Sequence, residues 1–175
     1  GEGNVVTARQ VSSPNQDDRP PGTKITLLVL HGISLPPGMF GGDEIEALFC
    51  NVLDPQKNPY FPQLMGSCVS AHFLIRRDGA PIQFVACGRR AWHAGESAWK
   101  GHDHCNDYSI GIELEGTDHV PYERAQYLTL AGLVCGLKKR YPIQDIVGHS
   151  DISPGRKTDP GPSFDWSAFR SLLRL

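Results

Sequence analysis

Long hydrophobic runs are missing from this sequence of 175 residues. The longest mostly apolar stretch runs only from Ile25 to Leu30. A helix that crosses a bilayer needs about 20 apolar residues, so no transmembrane helix and no membrane partner are expected. Charge of one sign is also lacking. Lys and Arg number 17 against 19 Asp and Glu, for a net charge of −2. Without a basic stripe, nucleic-acid binding has no electrostatic basis. Cysteine is sparse and odd in number: Cys50, Cys68, Cys87, Cys105 and Cys135, with no C-x-x-C pair. That count disfavours both a disulfide framework and a cysteine-based zinc site. It suits free thiols in a reducing compartment, and no signal-like apolar segment opens the sequence, so a cytoplasmic location is expected.

What the chain does contain is glycine and proline, 19 and 14 residues, with 39% hydrophobic residues. This composition predicts short elements joined by shaped loops rather than a helical bundle. The length suits one domain with one core. Residues 1–24 are polar and proline-rich and read as an extended arm; residues 25–175 read as the domain proper. Ile25 to Leu30 suits a central strand covered on both faces, ending at His31. Asp43 is placed to cap a short helix from Glu44 to Cys50. Arg77-Asp78-Gly79-Ala80, between two apolar runs, predicts a hairpin. Ser109 to Glu115 alternates, with Ile110, Ile112 and Leu114 on one face and Ser109, Gly111, Glu113 and Glu115 on the other.

From Tyr122 to Tyr141 apolar residues recur at Ala125, Leu128, Ala131, Val134 and Leu137, which predicts an amphipathic helix. Lys138, Lys139 and Arg140 crowd its end, where the helix dipole favours cations. Ile146-Val147-Gly148 reads as a strand ending at His149, and Asp165 as the cap of a last helix, Trp166 to Leu173. The expected fold class is α/β, one domain with a mixed β-sheet flanked by helices.

Two of the seven histidines, His31 and His149, share a context: each follows a strand of aliphatic residues and precedes a loop. Ligand-bearing groups in open sheets gather at strand ends, so both are candidates for one edge. The loop after His149 carries Pro154, Gly155, Pro160 and Gly161 around Asp159, a composition that fixes a side chain in space. Two imidazoles and one carboxylate form a three-ligand set for catalytic zinc that leaves a position for water. Lys157, two residues before Asp159, is placed to stabilise an oxyanion. Glu113, mid-strand on the polar face, is placed to move a proton.

Each residue has a plainer reading: satisfied strand-end histidines, a turn aspartate before proline, a solvated lysine, and glutamates on the wet face of an edge strand. The tract Gly101 to Asp107 is histidine-rich, but its ligands stand so close together that a polar loop is the better account. His72 reads as a hydrogen-bonded strand histidine. Beside His93, Trp92 is either a sugar-stacking surface or core.

Several strings, taken in order, carry a resemblance. They are His31 to Gly38, Ser70-Ala71-His72, Arg76 to Gly79, Ala91-Trp92-His93-Ala94-Gly95, Cys105-Asn106-Asp107, Ile110 to Asp118 and Arg156 to Pro162. Together they resemble the cytoplasmic 1,6-anhydro-N-acetylmuramyl-L-alanine amidases. These belong to the zinc-dependent type 2 amidase and peptidoglycan recognition protein superfamily. The resemblance covers Pro14 to Leu173 and implies an amidase-like fold with Zn2+ held by His31, His149 and Asp159. It also implies Glu113 as proton acceptor and donor, Lys157 as transition-state stabiliser, and substrate contacts from Trp92, Gly32, His104 and Asn106.

The implied reaction cleaves the bond between (1,6-anhydro-)N-acetylmuramic acid and L-alanine in muropeptides during peptidoglycan recycling. No obligate protein partner is implied. The alternatives are a non-catalytic peptidoglycan-binding module and a secreted or phage-type lysin acting on polymeric wall. Three positions depart from the family pattern: Gly32 stands where Asn is common, and Cys68 and His104 stand where Arg is common. Loss of bidentate donors bears on substrate affinity rather than on metal chemistry.

Overall fold

The computed structural model describes residues 3–174. Along the chain run β1 (Arg9–Gln10), β2 (Gln16–Asp18), β3 (Leu27–Ile33), α1 (Glu44–Phe49), β4 (Phe73–Ile75), β5 (Pro81–Gln83) and β6 (Arg89–Ala91). They are followed by β7 (Ala98–Trp99), β8 (His102–Asp103), β9 (Ser109–Glu115), α2 (Arg124–Arg140), β10 (Asp145–Gly148), α3 (His149–Ile152) and α4 (Trp166–Leu172). Six strands form one sheet in the order β1-β5-β4-β9-β3-β10. Only β4 and β5 pair antiparallel; the other neighbours run parallel, so the sheet is mixed. Two small ribbons, β2 with β6 and β7 with β8, stand beside it.

Period-two alternation sends the two halves of each central strand into different cores. Leu28 and Leu30 of β3 and Ile110, Ile112 and Leu114 of β9 pack with Leu130, Val134 and Leu137 of α2 and Phe169 of α4. Leu27 and Val29, on the opposite face, pack with Ala94, Cys105, Val147 and Ile152. A third cluster seats Ile45, Leu48 and Phe49 of α1 against Leu74, Ile82 and Phe84. The sheet is therefore covered on both sides, as parallel strands require.

Three sequence expectations change here. Strand β3 does not end at His31 but continues through it to Ile33, paired residue for residue with β9. Strand β9 is no edge strand with a wet face; it lies between β4 and β3, and all its residues are buried. The apolar face of α2 is Tyr127, Leu130, Ala131, Val134 and Leu137, whereas Leu128 is 49% exposed. Three-residue spacing drifts around a helix of 3.6 residues per turn, so it leaves the core face within two turns.

The hairpin β4–β5, the strand β10 and the last helix form as expected. The Asp165 carboxylate accepts from the backbone N–H of Ala168 at the start of α4. Within the stretch read as an arm, residues 9–10 and 16–18 join the sheets, β1 beside β5 and β2 beside β6.

Candidate active site

Because β4, β9, β3 and β10 are parallel, their carboxyl ends lie along one edge of the sheet, and the polar groups gather there. His31 sits on β3 directly opposite Glu113 of β9. His149 follows β10 as the first residue of α3. Asp159 reaches this edge because Pro160 fits against two glycines. A Cβ on Gly148 would lie 2.8 Å from the Pro160 ring, and one on Gly32 would lie 3.6 Å from the Pro160 backbone. The Tyr122 hydroxyl donates to the Pro160 carbonyl at 2.9 Å and would be 2.3 Å from a Cβ at position 32. Gly32 therefore leaves the space that Tyr122 uses to hold the Asp159 loop.

Three donor atoms meet at this edge. His31 Nδ1 lies 3.0 Å from His149 Nδ1 and 3.2 Å from Asp159 Oδ2, and His149 Nδ1 lies 3.1 Å from the same oxygen. This is the one group of three or more His, Cys, Asp or Glu side chains with metal-holding geometry among the described residues. Hydrogen bonding alone does not satisfy it. His149 Nε2 faces the Ala94 carbonyl at 3.1 Å and must donate to it, which leaves Nδ1 of a neutral ring as a bare lone pair. Burial lowers the pKa of His31 and favours its neutral form.

Burial alone would raise the Asp159 carboxyl, but hydrogen bonds from the His149 and His31 edges, where Nδ1 carries a proton, outweigh it and hold the group far below the ordinary carboxylate range. One proton at either Nδ1 satisfies one of the three contacts at a time. A divalent cation satisfies all three. Tetrahedral zinc with bonds of about 2.0–2.1 Å asks for donors roughly 3.3 Å apart, close to the spacing found.

Beside this triad Glu113 is buried, and its Oε2 has no hydrogen-bond partner. Burial, then the charge of Asp159, pushes its pKa well above the ordinary range, with Lys157 acting the other way. A carboxyl group so placed readily takes up a proton. Glu113, Lys157, the triad and Trp92 line one cavity of about 420 Å³, within the usual size of a small-molecule site. A second cavity of about 650 Å³ adjoins it at Gly32, Ser34, Pro37, Thr117, Lys157 and Asp159, and extends past Asp118 and His119. Together they make one cleft: Asp159 and Lys157 line both parts, and His31 and His149 line the smaller.

Of the other sequence candidates, Gly32 and Trp92 border this cleft. His104 does not; it is exposed and lines separate cavities with Asp103. Asn106 turns its side chain inward, and its Oδ1 accepts from the backbone N–H groups of His93 and Ala94 at 3.1 and 2.8 Å. His93 has no role legible from its own neighbours in sequence, yet its Nδ1 lies 2.9 Å from His31 Nε2. The available signal was Gly111, a glycine in mid-strand, which marks close approach of another group. A Cβ there would lie 2.4 Å from the His93 ring.

Residues 21–162 match the family described as N-acetylmuramoyl-L-alanine amidase. The chain belongs to that family. It is 54% identical to the 1,6-anhydro-N-acetylmuramyl-L-alanine amidase AmpD of Enterobacter cloacae, over 97% of this chain and 91% of that protein. The AmpD of Escherichia coli (strain K12) is 53% identical, over 98% and 95%. A crystal structure of an AmpD derivative superposes on this amidase with a TM-score of 0.97, at 54% identity over 99% and 98% of the two chains. The Escherichia coli amidase AmiD is more distant, with a TM-score of 0.64 at 31% identity, over 88% of this chain and 60% of that one. Its structure holds the substrate anhydro-N-acetylmuramic acid-L-Ala-D-gamma-Glu-L-Lys. The amidase fold, a mixed sheet covered by helices, is common to these proteins.

Proposed function

We propose that this amidase cleaves the amide between 1,6-anhydro-N-acetylmuramic acid and L-alanine in muropeptides, using zinc held by His31, His149 and Asp159. The carrying observation is the triad of donor atoms that hydrogen bonds cannot satisfy, set beside a buried carboxyl group with a free oxygen. Relatives at 53–54% identity over nearly the whole chain bear the name of that activity, which supports the substrate class. Bound zinc supplies Lewis acidity and brings the pKa of water toward about 7.

The chain's own groups do the rest. Glu113 takes a proton from the attacking water and delivers it to the alanine nitrogen as the C–N bond breaks. Lys157 places its ammonium by the oxyanion that forms on the lactyl carbonyl. Trp92 offers an aromatic face to the sugar, with Tyr60 further along the same wall. Such fragments arise in wall recycling, and the reaction belongs in the cytoplasm. No helix among the described residues is long and apolar enough to cross a membrane.

The deciding assay measures release of alanyl peptide from one defined anhydro-muropeptide, with and without chelator, beside intact sacculi. Zinc-dependent release from the small substrate is expected. Preference for sacculi points instead to a wall lysin, and a zinc-loaded chain that releases nothing points to a binding module. Glu113→Gln should keep one zinc per chain yet lose roughly two or more decades of turnover. His149→Ala should lose the metal as well.

A further inference from the structure

We propose that the segment His93-Ala94, held by Asn106, is an outer bracket that sets the tautomers of both imidazoles in the triad. The proposal rests on the metal reading above. A ring nitrogen offers a lone pair to a metal only if the proton resides on the other nitrogen, so each ligand needs an acceptor at its far edge. Two consecutive residues supply both acceptors. The Ala94 carbonyl accepts from His149 Nε2 at 3.1 Å, and His93 Nδ1 meets His31 Nε2 at 2.9 Å. On its far side His93 Nε2 lies 3.1 Å from the Ser109 hydroxyl. With His93 donating to Ser109, its Nδ1 is an acceptor, His31 donates to it, and His31 Nδ1 is bare toward the triad.

The bracket is held at several points. Asn106 Oδ1 accepts from the backbone N–H of both residues, and the Arg156 guanidinium donates to the Ala94 carbonyl at 2.7 Å. Gly111 leaves room for the His93 ring over β9. Arg19 ties down the base of this region, donating to the carbonyls of Asn106, Asp107 and Ser109 at 3.1, 2.8 and 2.8 Å. His93 is thus a positioning residue: it acts on the triad through His31.

Zinc affinity, measured by competition with a chelating dye, tests this in the full chain. His93→Leu should weaken affinity about 10–100-fold, while His93→Asn, whose Oδ1 replaces the Nδ1 acceptor, should stay within about threefold. Equal affinity in wild type and His93→Leu overturns the bracket and spares the metal reading; a wild type that takes up no zinc overturns both. Nitrogen-15 NMR of the zinc-loaded wild type provides a readout independent of any variant's folding. The His93 proton is expected on Nε2, and finding it on Nδ1 refutes the proposal.

Discussion

Glu113 shows how one side chain is set for its work by what surrounds it. Its strand lies inside the sheet, so its carboxyl group is buried, and Oε2 has no partner to offset the lost hydration. The charged form is disfavoured, chiefly by burial and then by Asp159. The sign of the linkage follows. A carboxyl whose folded pKa is raised contributes stability below its unfolded value, near 4.5, and loses it as pH rises through the folded pKa. In chelated protein, Glu113→Gln should therefore be more stable than wild type at pH 8. The difference should vanish below about pH 4.5. Urea titrations of both proteins at the two pH values check this; equal midpoints at pH 8 would contradict it. His93 and Asn106 show the converse case. His93 has no legible role in the sequence and Asn106 is read there as a substrate contact, because what each does depends on which ring or backbone group lies opposite.

At the scale of elements, the strands were easier to read than the faces they present. Alternation in Ser109 to Glu115 is plain in sequence and sorts its residues onto the right two faces, yet says nothing of neighbours. Only the order β4-β9-β3 makes both faces interior. The helix α2 is legible from its apolar recurrence and basic end, but its core stripe is not. Leu128 fits the three-residue pattern and is exposed; Leu130 lies outside it and is fully buried. Leu130→Ala should cost about 2–5 kcal/mol, as a core cavity does. Leu128→Ala should stay within about 0.5 kcal/mol of wild type. Denaturant midpoints of the pair decide the matter, and a Leu128 variant as damaged as the Leu130 one would restore the sequence pattern. Loop residues are less legible still. The wall after β3 is held by the Glu115 carboxylate, which accepts from the Gly41 N–H at 2.6 Å and pairs with Arg76. That contact joins residues 74 positions apart.

The whole molecule is closed around the site by both ends of the chain. From the amino-terminal region Arg19 binds four carbonyls, those of Cys87, Asn106, Asp107 and Ser109, and its burial lowers its pKa to about 10. From the other end, the 159–161 turn delivers its carboxylate between β3 and β10. A metal bound by groups from three separate segments holds the native state together and has no equivalent in the unfolded chain. Zinc at about 100 times its Kd should raise Tm by about 5–10 °C for a chain of this size. Chelation should remove the gain in wild type, and His149→Ala should show none. An unchanged Tm on adding zinc to wild type would argue against the triad as its site.

By itself the sequence determined the kinds of group available: two imidazoles in or beside aliphatic strands, a carboxylate in a proline- and glycine-rich loop, a mid-strand glutamate and the alternation that builds a covered sheet. Those are properties of residue type and local spacing, which short-range sterics and hydrophobic period express directly. Tertiary structure alone decided which nitrogen faces which oxygen, that Glu113 is dry, that Asn106 braces the backbone and that His104 stands apart from the cleft. Such facts come from contacts across 10 to 128 positions of chain, and no local pattern encodes an approach of that kind.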